Sequence, residues 1–591
     1  MFENIHIEFW YSRGGKENKI SFVGCYSNED FKAVLEINKN HNVQELKLSI
    51  VPEVELVIEK LSIKLIYPFK ESHRIYVNGY QSWTDSREFS IEEKIKPISK
   101  LARPIMKKYQ FEKYGDYSFK KYSGKKGEFH GYTYSYIREG EKLDLIGSLS
   151  ERTGFTIIEQ YTKENKILIN KECKGLSISE AYMAFDLFYA HGSEEEVFDS
   201  YFEAMGISKP NCEPCTGWTS WYNYYENINQ SIILENLRNF RDFKKNIDIF
   251  QIDDGYQTAV GDWLSVDTVK FPNGMKYICD NIKKDGYKAG IWLAPFVCET
   301  NSKIFHEKKQ WILKDEKGEY VLAGSNWSKF YALDIYNIEV RDYIKKVFSV
   351  ILNDWGYDMV KLDFLYAVCL LPRKEKTRGQ IMTEAMEFLR ECVGEKIILG
   401  CGVPLGPAFG LVDYCRIGCD VGLDWDDNFY MRKLHRERVS TFNSIRNAIG
   451  RRHLNGRAFL NDPDVFLLRD DNITLNEDQR ETLAIVNNLF GSLLFTSDNL
   501  KNYKNKQFSV FDKAMQLKDR IIESVECCEN GIVEVVYKEE ENRFLALINL
   551  NNSTSRYSND LLNQTQELLP YSSKIFNIEN NELENCITQG F

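Results

Sequence analysis

The sequence predicts an α/β protein: a central (β/α)8 TIM barrel, with an N-terminal β-sandwich before it and a small C-terminal β domain after it. Three observations predict this. Eight short apolar, strand-like runs recur between residues 216 and 498, most of them separated by stretches of helical periodicity. Before and after that region the pattern changes to short β-type runs alone. At 591 residues the chain is also too long for one compact core.

In chain order, residues 1–205 hold many short β-type runs with turn signals between them, such as 19–24 and 166–169, a spacing that suggests a sandwich. Residues 206–510 carry the barrel units. Strands are expected at 216–222, 247–253, 288–296, 359–364, 396–401, 413–420, 457–462 and 492–498. Helices are expected at 231–245, 276–285, 340–355, 383–392, 433–449 and 477–489. In the fifth connection Pro404, Pro407 and Gly410 leave room for only a short helix. Eight alternating units over about 280 residues fit a closed barrel better than an open doubly wound sheet. Residues 511–591 return to β-type runs, as at 531–537 and 543–548, and predict a small sheet.

Composition narrows the function. Hydrophobic residues make up 43%, charged residues 28% and aromatics 14%, a globular balance. The net charge of −11, without long single-sign blocks, argues against nucleic acid as a partner. No apolar run reaches the ~18 residues of a membrane span, and the N-terminus lacks the pattern of a secretory leader, so a soluble, cytoplasmic protein without a membrane partner is expected. The 14 cysteines are scattered, several within apolar runs, as reduced small hydrophobes are. Cys212 and Cys215 have metal-like spacing, but no second pair or histidines follow, and no His-Glu-x-x-His is present; no metal is expected.

The chemistry should lie at the C-terminal ends of the strands, where barrel enzymes keep their sites. Met359-Val360-Lys361-Leu362-Asp363-Phe364 and Cys415-Arg416-Ile417-Gly418-Cys419-Asp420 each end an apolar run on an acid. Alternation along a strand puts Lys361 on the face of Asp363, and Arg416 and Gly418 on that of Asp420 if the chain stays extended. One such acid could simply cap a following helix. Here, however, acids and tryptophans recur at nearly every strand end from one to six: Trp218 and Trp221, Asp253 and Asp254, Trp292, Asp363, and Asp420. Flat indoles, with Trp263 among them, beside directional donors and acceptors suit a sugar, which has one C–H face and a rim of hydroxyls, although each tryptophan taken singly could equally be core. Glycosidic cleavage uses two carboxyl groups, and Asp363 and Asp420 on strands four and six could face each other across the mouth. Lys361 and Arg416 favour ionised neighbours; which acid is nucleophile and which acid/base stays open on the residues alone. Gly400-Cys401-Gly402-Val403-Pro404-Leu405-Gly406 misses the spacing of a dinucleotide loop, and Pro404 would interrupt the helix start.

Together these segments resemble the α-galactosidases (melibiases) of glycoside hydrolase family 36, through Gly217-Trp218-Thr219-Ser220-Trp221-Tyr222, Gln251-Ile252-Asp253-Asp254-Gly255, Trp292-Leu293-Ala294-Pro295-Phe296 and the three segments above. In the N-terminal region Asn78-Gly79-Tyr80-Gln81-Ser82-Trp83 is similar to the family's Asn-Gly-Trp-Gln-Ser-Trp loop over the sugar site, with Tyr80 in place of the first tryptophan. The resemblance implies Asp363 as nucleophile and Asp420 as acid/base with overall retention. It implies Asp253 and Asp254 on the 4- and 6-hydroxyls of a galactose-type ring, and Lys361 and Arg416 on hydroxyls near the reacting centre. Trp218 and Trp292 would line the pocket, Cys401 and Gly402 would lie near the 2-position, and Tyr80 and Trp83 would contribute from the loop. Cys419 stands where the family has a proline, and Val421-Gly422-Leu423-Asp424-Trp425-Asp426-Asp427 is unusually acidic, which leaves the aglycone side and the 2-substituent open.

The leading expectation is a retaining exo-acting α-galactosidase that takes a carbohydrate substrate and needs no cofactor. Alternatives are an α-N-acetylgalactosaminidase, a transglycosylase, or a non-catalytic galactoside-binding protein; the presence of both acids argues against the last. The resemblance also implies a homo-oligomer.

Overall fold

The computed structural model describes the chain except residues 3, 4, 116, 118, 374, 529, 530, 559, 560, 563, 579–581 and 585–591. Each predicted barrel segment overlaps a strand: Cys215–Thr219, Ile249–Ile252, Lys288–Leu293, Met359–Leu362, Ile397–Gly400, Tyr414–Arg416, Leu460–Asp462 and Leu493–Thr496. They pair in parallel in sequence order, and the last returns to the first through Gly217↔Phe495. Nearly every residue in them is buried, as expected when helices cover the outside and side chains fill the interior.

Strand seven is split. Leu460–Asp462 pairs with strand six, and Val465–Phe466 pairs with strand eight. Pro463 and a left-handed Asp464 (φ 78°) sit between the halves. Pro cannot donate to a ladder, so the strand changes neighbour there and completes the closure.

The helices follow their caps and stripes. Gln230–Asp242 begins at Asn229, whose side chain accepts from Ile232 N, and it buries Ile233, Leu237 and Phe240 on one face. Two expectations need correction. The predicted helix 433–449 is two, Met431–Leu434 and Thr441–Gly450, with residues 435–440 crossing the mouth of the barrel between them. Strand six stops at Arg416, so Gly418 and Asp420 are not on its extended face. Gly418 instead lies against the helix Thr441–Gly450, where a Cβ would meet Ser444 and Asn447 at 3.3 Å.

Two antiparallel sheets of seven and eight strands precede the barrel, with a core of alternating inward residues such as Ile7, Phe9, Leu48 and Ile63. After it, Arg520–Cys527, Ile532–Glu539, Asn542–Asn549, Ser573–Asn577 and Glu582–Glu584 form one antiparallel sheet. The third barrel connection carries a three-stranded insertion, Val297–Glu299, Leu322–Gly324 and Phe330–Ala332, that overhangs the strand ends.

Candidate active site

A cavity of about 320 Å³ opens at the C-terminal ends of the strands. Its floor and walls include Asp253, Asp254, Trp292, Lys361, Asp363 and Asp420.

Asp363 follows strand four and is still ladder-bonded, its N–H donating to Leu293 O at 2.8 Å, so its side chain is fixed at the mouth. One carboxyl oxygen accepts from Trp292 Nε1 at 3.1 Å and the other from Phe364 N at 2.8 Å. Phe364 adopts φ 52°, which turns that N–H back onto the carboxylate. Burial pushes the Asp363 carboxyl above its usual range; Lys361 opposes this and Asp420 adds to it.

Lys361 pairs with Asp253 rather than with Asp363: its Nζ donates to Asp253 Oδ2 at 2.8 Å, both side chains being almost fully buried. Against the burial that would discharge it, Asp253 holds Lys361 charged. Asp253 also accepts from Gln251 at 2.7 Å and from Asp254 N at 3.0 Å. Asp254 has no cationic partner among the described contacts; it accepts from Gln257 at 2.5 Å and from Trp327 Nε1 at 2.8 Å. Burial pushes its carboxyl up to about 7, opposed by those two hydrogen bonds.

Arg416 is buried beneath Asp420 and does not line the cavity. Its guanidinium is divided among Asp420 Oδ1 (2.9 Å), Asp462 Oδ2 (3.0 Å) and Asp464 Oδ1 (2.8 Å). Asp420 is the open member of that set, its side chain 36% exposed.

The other tryptophans divide between core and pocket. Trp218 is fully buried, stacked on Phe250 and donating to Asp498 O, and Trp263 packs edge-on against Trp292. Trp83 reaches the cavity from the β-sandwich, and its indole Nε1 is buried with no partner among the described residues, so a polar ligand atom there would satisfy it. Gly402, left-handed at φ 55°, lies under that ring: a Cβ would come within 2.8 Å of Trp83 Cζ2 and 3.0 Å of Phe364 N. Cys401 is buried behind the wall, and Tyr80 is packed among Phe119, Tyr132 and Phe155 with its hydroxyl on Cys369. Tyr80, Trp218, Arg416, Cys401 and Gly402 therefore support the cavity from behind rather than line it.

Other contributors were not singled out from the sequence. Trp327 and Asn326 come from the insertion after strand three, Phe111 and Tyr114 from the β-sandwich, and Asp427, His435 and Glu437 from the sixth connection. Trp221 and Phe364 stood in the quoted motifs without an assigned place; both line the cavity. The acid-rich run after Asp420 was the one local signal for the sixth connection. That connection is stitched to the β-sandwich by stacking of His435 on Phe111 (4.4 Å), by Thr84 donating to Glu437 (3.2 Å), and by Arg446 with Asp85 (3.2 Å). Arg451 donates to Gln81 O (3.0 Å) and Ile417 O (2.9 Å), fixing the Trp83 loop to the barrel.

Comparison with known proteins follows the same surface. The Melibiase family model matches residues 217–388. An α-galactosidase of Escherichia coli is 30% identical over 156 residues, 24% of this chain and 20% of that protein; the matched segments span about a fifth of the curated relatives. Among solved structures, TtGalA, an α-galactosidase from Thermus thermophilus in complex with p-nitrophenyl α-D-galactopyranoside, superposes with a TM-score of 0.69 at 25% identity, covering 91% of this chain and 98% of that one. AgaA, a GH36 α-galactosidase from Geobacillus stearothermophilus, shares the fold, with a TM-score of 0.61 at 10% identity over 93% of this chain and 83% of that one.

Proposed function

We propose that this chain, which belongs to the melibiase family, glycoside hydrolase family 36, is a retaining exo-acting α-galactosidase. The observation that carries the reading is one cavity of about 320 Å³ in which Asp363, Asp420, the Asp253–Lys361 pair, Asp254 and the indoles of Trp83 and Trp292 converge. The solved relative whose complex holds stachyose, 26% identical, supports an oligosaccharide substrate.

In this reading the Asp363 carboxylate attacks the anomeric carbon while Asp420 gives a proton to the departing glycosidic oxygen. Asp420 then takes a proton from water, which releases the sugar from Asp363 with its configuration retained. The N–H groups of Trp292 and Phe364 and the charge of Lys361 favour the ionised nucleophile against burial. Asp253 and Asp254 supply fixed acceptors for ring hydroxyls. Two carboxyl groups and water suffice without a cofactor. A cytoplasmic location and a homo-oligomer belong to the same reading.

The test is hydrolysis of nitrophenyl α-galactoside and α-N-acetylgalactosaminide side by side. Activity on the second alone would overturn the galactose assignment. Asp363→Ala should abolish turnover, and azide should restore cleavage with inverted product; persistence of activity would remove Asp363 as nucleophile.

A further inference from the structure

We infer that an arm of the β-sandwich beside the cavity is an anion-binding surface, and that the substrate is an anionic glycan: its terminal α-galactose is neutral, and its carboxylate, sulfate or phosphate groups lie on the part that leaves. The substrate assignment rests on the α-galactosidase reading; the anion-binding surface does not.

The chain is acidic overall, at −11, yet residues 94–126, between the strands Arg87–Ser90 and Glu128–Tyr132, hold eleven Lys and Arg against Glu112 and Asp116. Cations gathered against the sign of the whole molecule make a local positive field. Lys100, Arg103, Lys107 and Lys108 are exposed on the helical turns Lys100–Ala102 and Arg103–Tyr109, whose inner side is held by the buried Ala102 and Met106. Later in the arm Lys120, Lys125 and Lys126 are taken by Glu159, Glu128 and Glu92. The first four form no ion pair among the described residues, so their charge is open to a ligand.

A row of rings joins those cations to the cavity. Lys108 Nζ lies 5.2 Å from the centre of the Tyr109 ring, Tyr109 stacks on Phe111 at 5.6 Å, and Phe111 stacks on His435 at 4.4 Å. Phe111 and His435 both line the cavity. The sixth connection extends the positive surface: the exposed Lys433 lies over Phe429 at 3.8 Å, and Arg436 lies over Tyr122 of the arm at 4.2 Å. Ser440 N donates to Asp420 O at 2.8 Å, which sets residues 435–440 beside the proposed acid/base and makes this the leaving side. The sugar site itself disfavours an anion, because Asp253, Asp254, Asp363 and Asp420 crowd around Lys361, and Glu226 and Asp427 add to the negative lining. A negative group therefore fits beyond the terminal sugar, on the arm. A glycan is the anion that suits both, since one molecule can place a neutral end in the cavity and its charged remainder on the adjoining cations.

The test compares galactomannan, a neutral polymer with α-linked galactose side groups, with the same polymer lightly carboxymethylated. At low ionic strength kcat/KM for galactose release should be at least about tenfold higher on the charged polymer, the lower end of electrostatic steering. The advantage should vanish in roughly 0.5 M salt, where charges more than about 4 Å apart are screened. The double variant Lys107→Glu with Lys108→Glu should lose the advantage and bind labelled dextran sulfate at least about tenfold more weakly, while hydrolysis of the neutral nitrophenyl α-galactoside stays unchanged. Equal rates on the two polymers, or dextran sulfate binding that the double variant keeps, would overturn the inference. Tighter binding to phosphatidylglycerol vesicles than to dextran sulfate would also overturn it, by giving the arm, with its exposed Leu101 and Ile105, to a membrane surface instead. Dextran sulfate binding needs no turnover. A protein inactive on every α-galactoside that still binds it through Lys107 and Lys108 would therefore sink the α-galactosidase reading and not the anion-binding arm.

Discussion

Trp292→Phe isolates one donor to Asp363, the proposed nucleophile. The phenyl ring keeps much of the contact with Trp263 (5.6 Å, edge-on) and Trp327 (6.1 Å), but the 3.1 Å hydrogen bond to Asp363 Oδ2 disappears. A hydrogen bond to a charged group is worth about 1.5–3 kcal/mol. That energy favours the carboxylate over its protonated form, and it acts in the same direction as Lys361 and Phe364 N against burial. Its loss should cut the ionised fraction of Asp363 on the acid limb by roughly 10- to 150-fold. The plateau above the limb should change less, because Phe364 N still holds the other oxygen. The assay is kcat/KM for nitrophenyl α-galactoside as a function of pH, with far-UV circular dichroism to confirm folding. The reasoning requires the acid limb to move to higher pH. A uniform fall at every pH with the limb in place would show that the indole only shapes the pocket, and an unchanged profile would remove it from the site.

Four further outcomes follow from the geometry. Lys361→Met leaves Asp253 buried without its cation, and breaking such a pair costs about 3–5 kcal/mol, read as a lower denaturation midpoint together with loss of galactose binding; adding Asp253→Asn should recover part of the stability. Asp254, pushed up to about 7, is protonated below that pH and ionised above it, so inhibition by galactose should weaken as pH falls through 7 in the wild type and become pH-independent, though weaker, in Asp254→Asn. Because that carboxyl is raised in the fold, its contribution to stability is full below its unfolded value and is lost as pH rises toward 7, so the Tm of Asp254→Asn relative to wild type should increase from pH 5 to pH 8. Gly402→Ala places a Cβ 2.8 Å from the Trp83 ring at a left-handed backbone, a strain of about 1–3 kcal/mol, and should raise KM several-fold; an unchanged KM would mean that Trp83 does not touch the sugar.

How far the site could be read from the sequence depended on where each residue sits relative to a strand. Asp253, Asp254, Trp292, Lys361 and Asp363 lie on or next to strands whose apolar runs are continuous, and barrel closure carries such ends to one mouth. Asp420 was found from its motif, but its route was misjudged: strand six ends four residues earlier, and a turn, rather than alternation, brings it back onto Arg416. The choice between Trp218 and Trp221 was not readable, since both follow the same strand and only the packed interior shows which indole meets Phe250 and which meets the cavity.

The sequence by itself determined the barrel and the identity of its central acids, because strand periodicity and strand-end residues are local properties that closure converts into position. Tertiary structure alone decided what surrounds them. Trp327 meets Asp254 across 73 residues, Tyr222 meets Asp464 across 242, and Thr84 meets Glu437 across 353. No short-range pattern encodes such pairs; they exist because an insertion, a broken seventh strand and a loop of the β-sandwich are brought to the same mouth, where burial sets the charge each acid can hold.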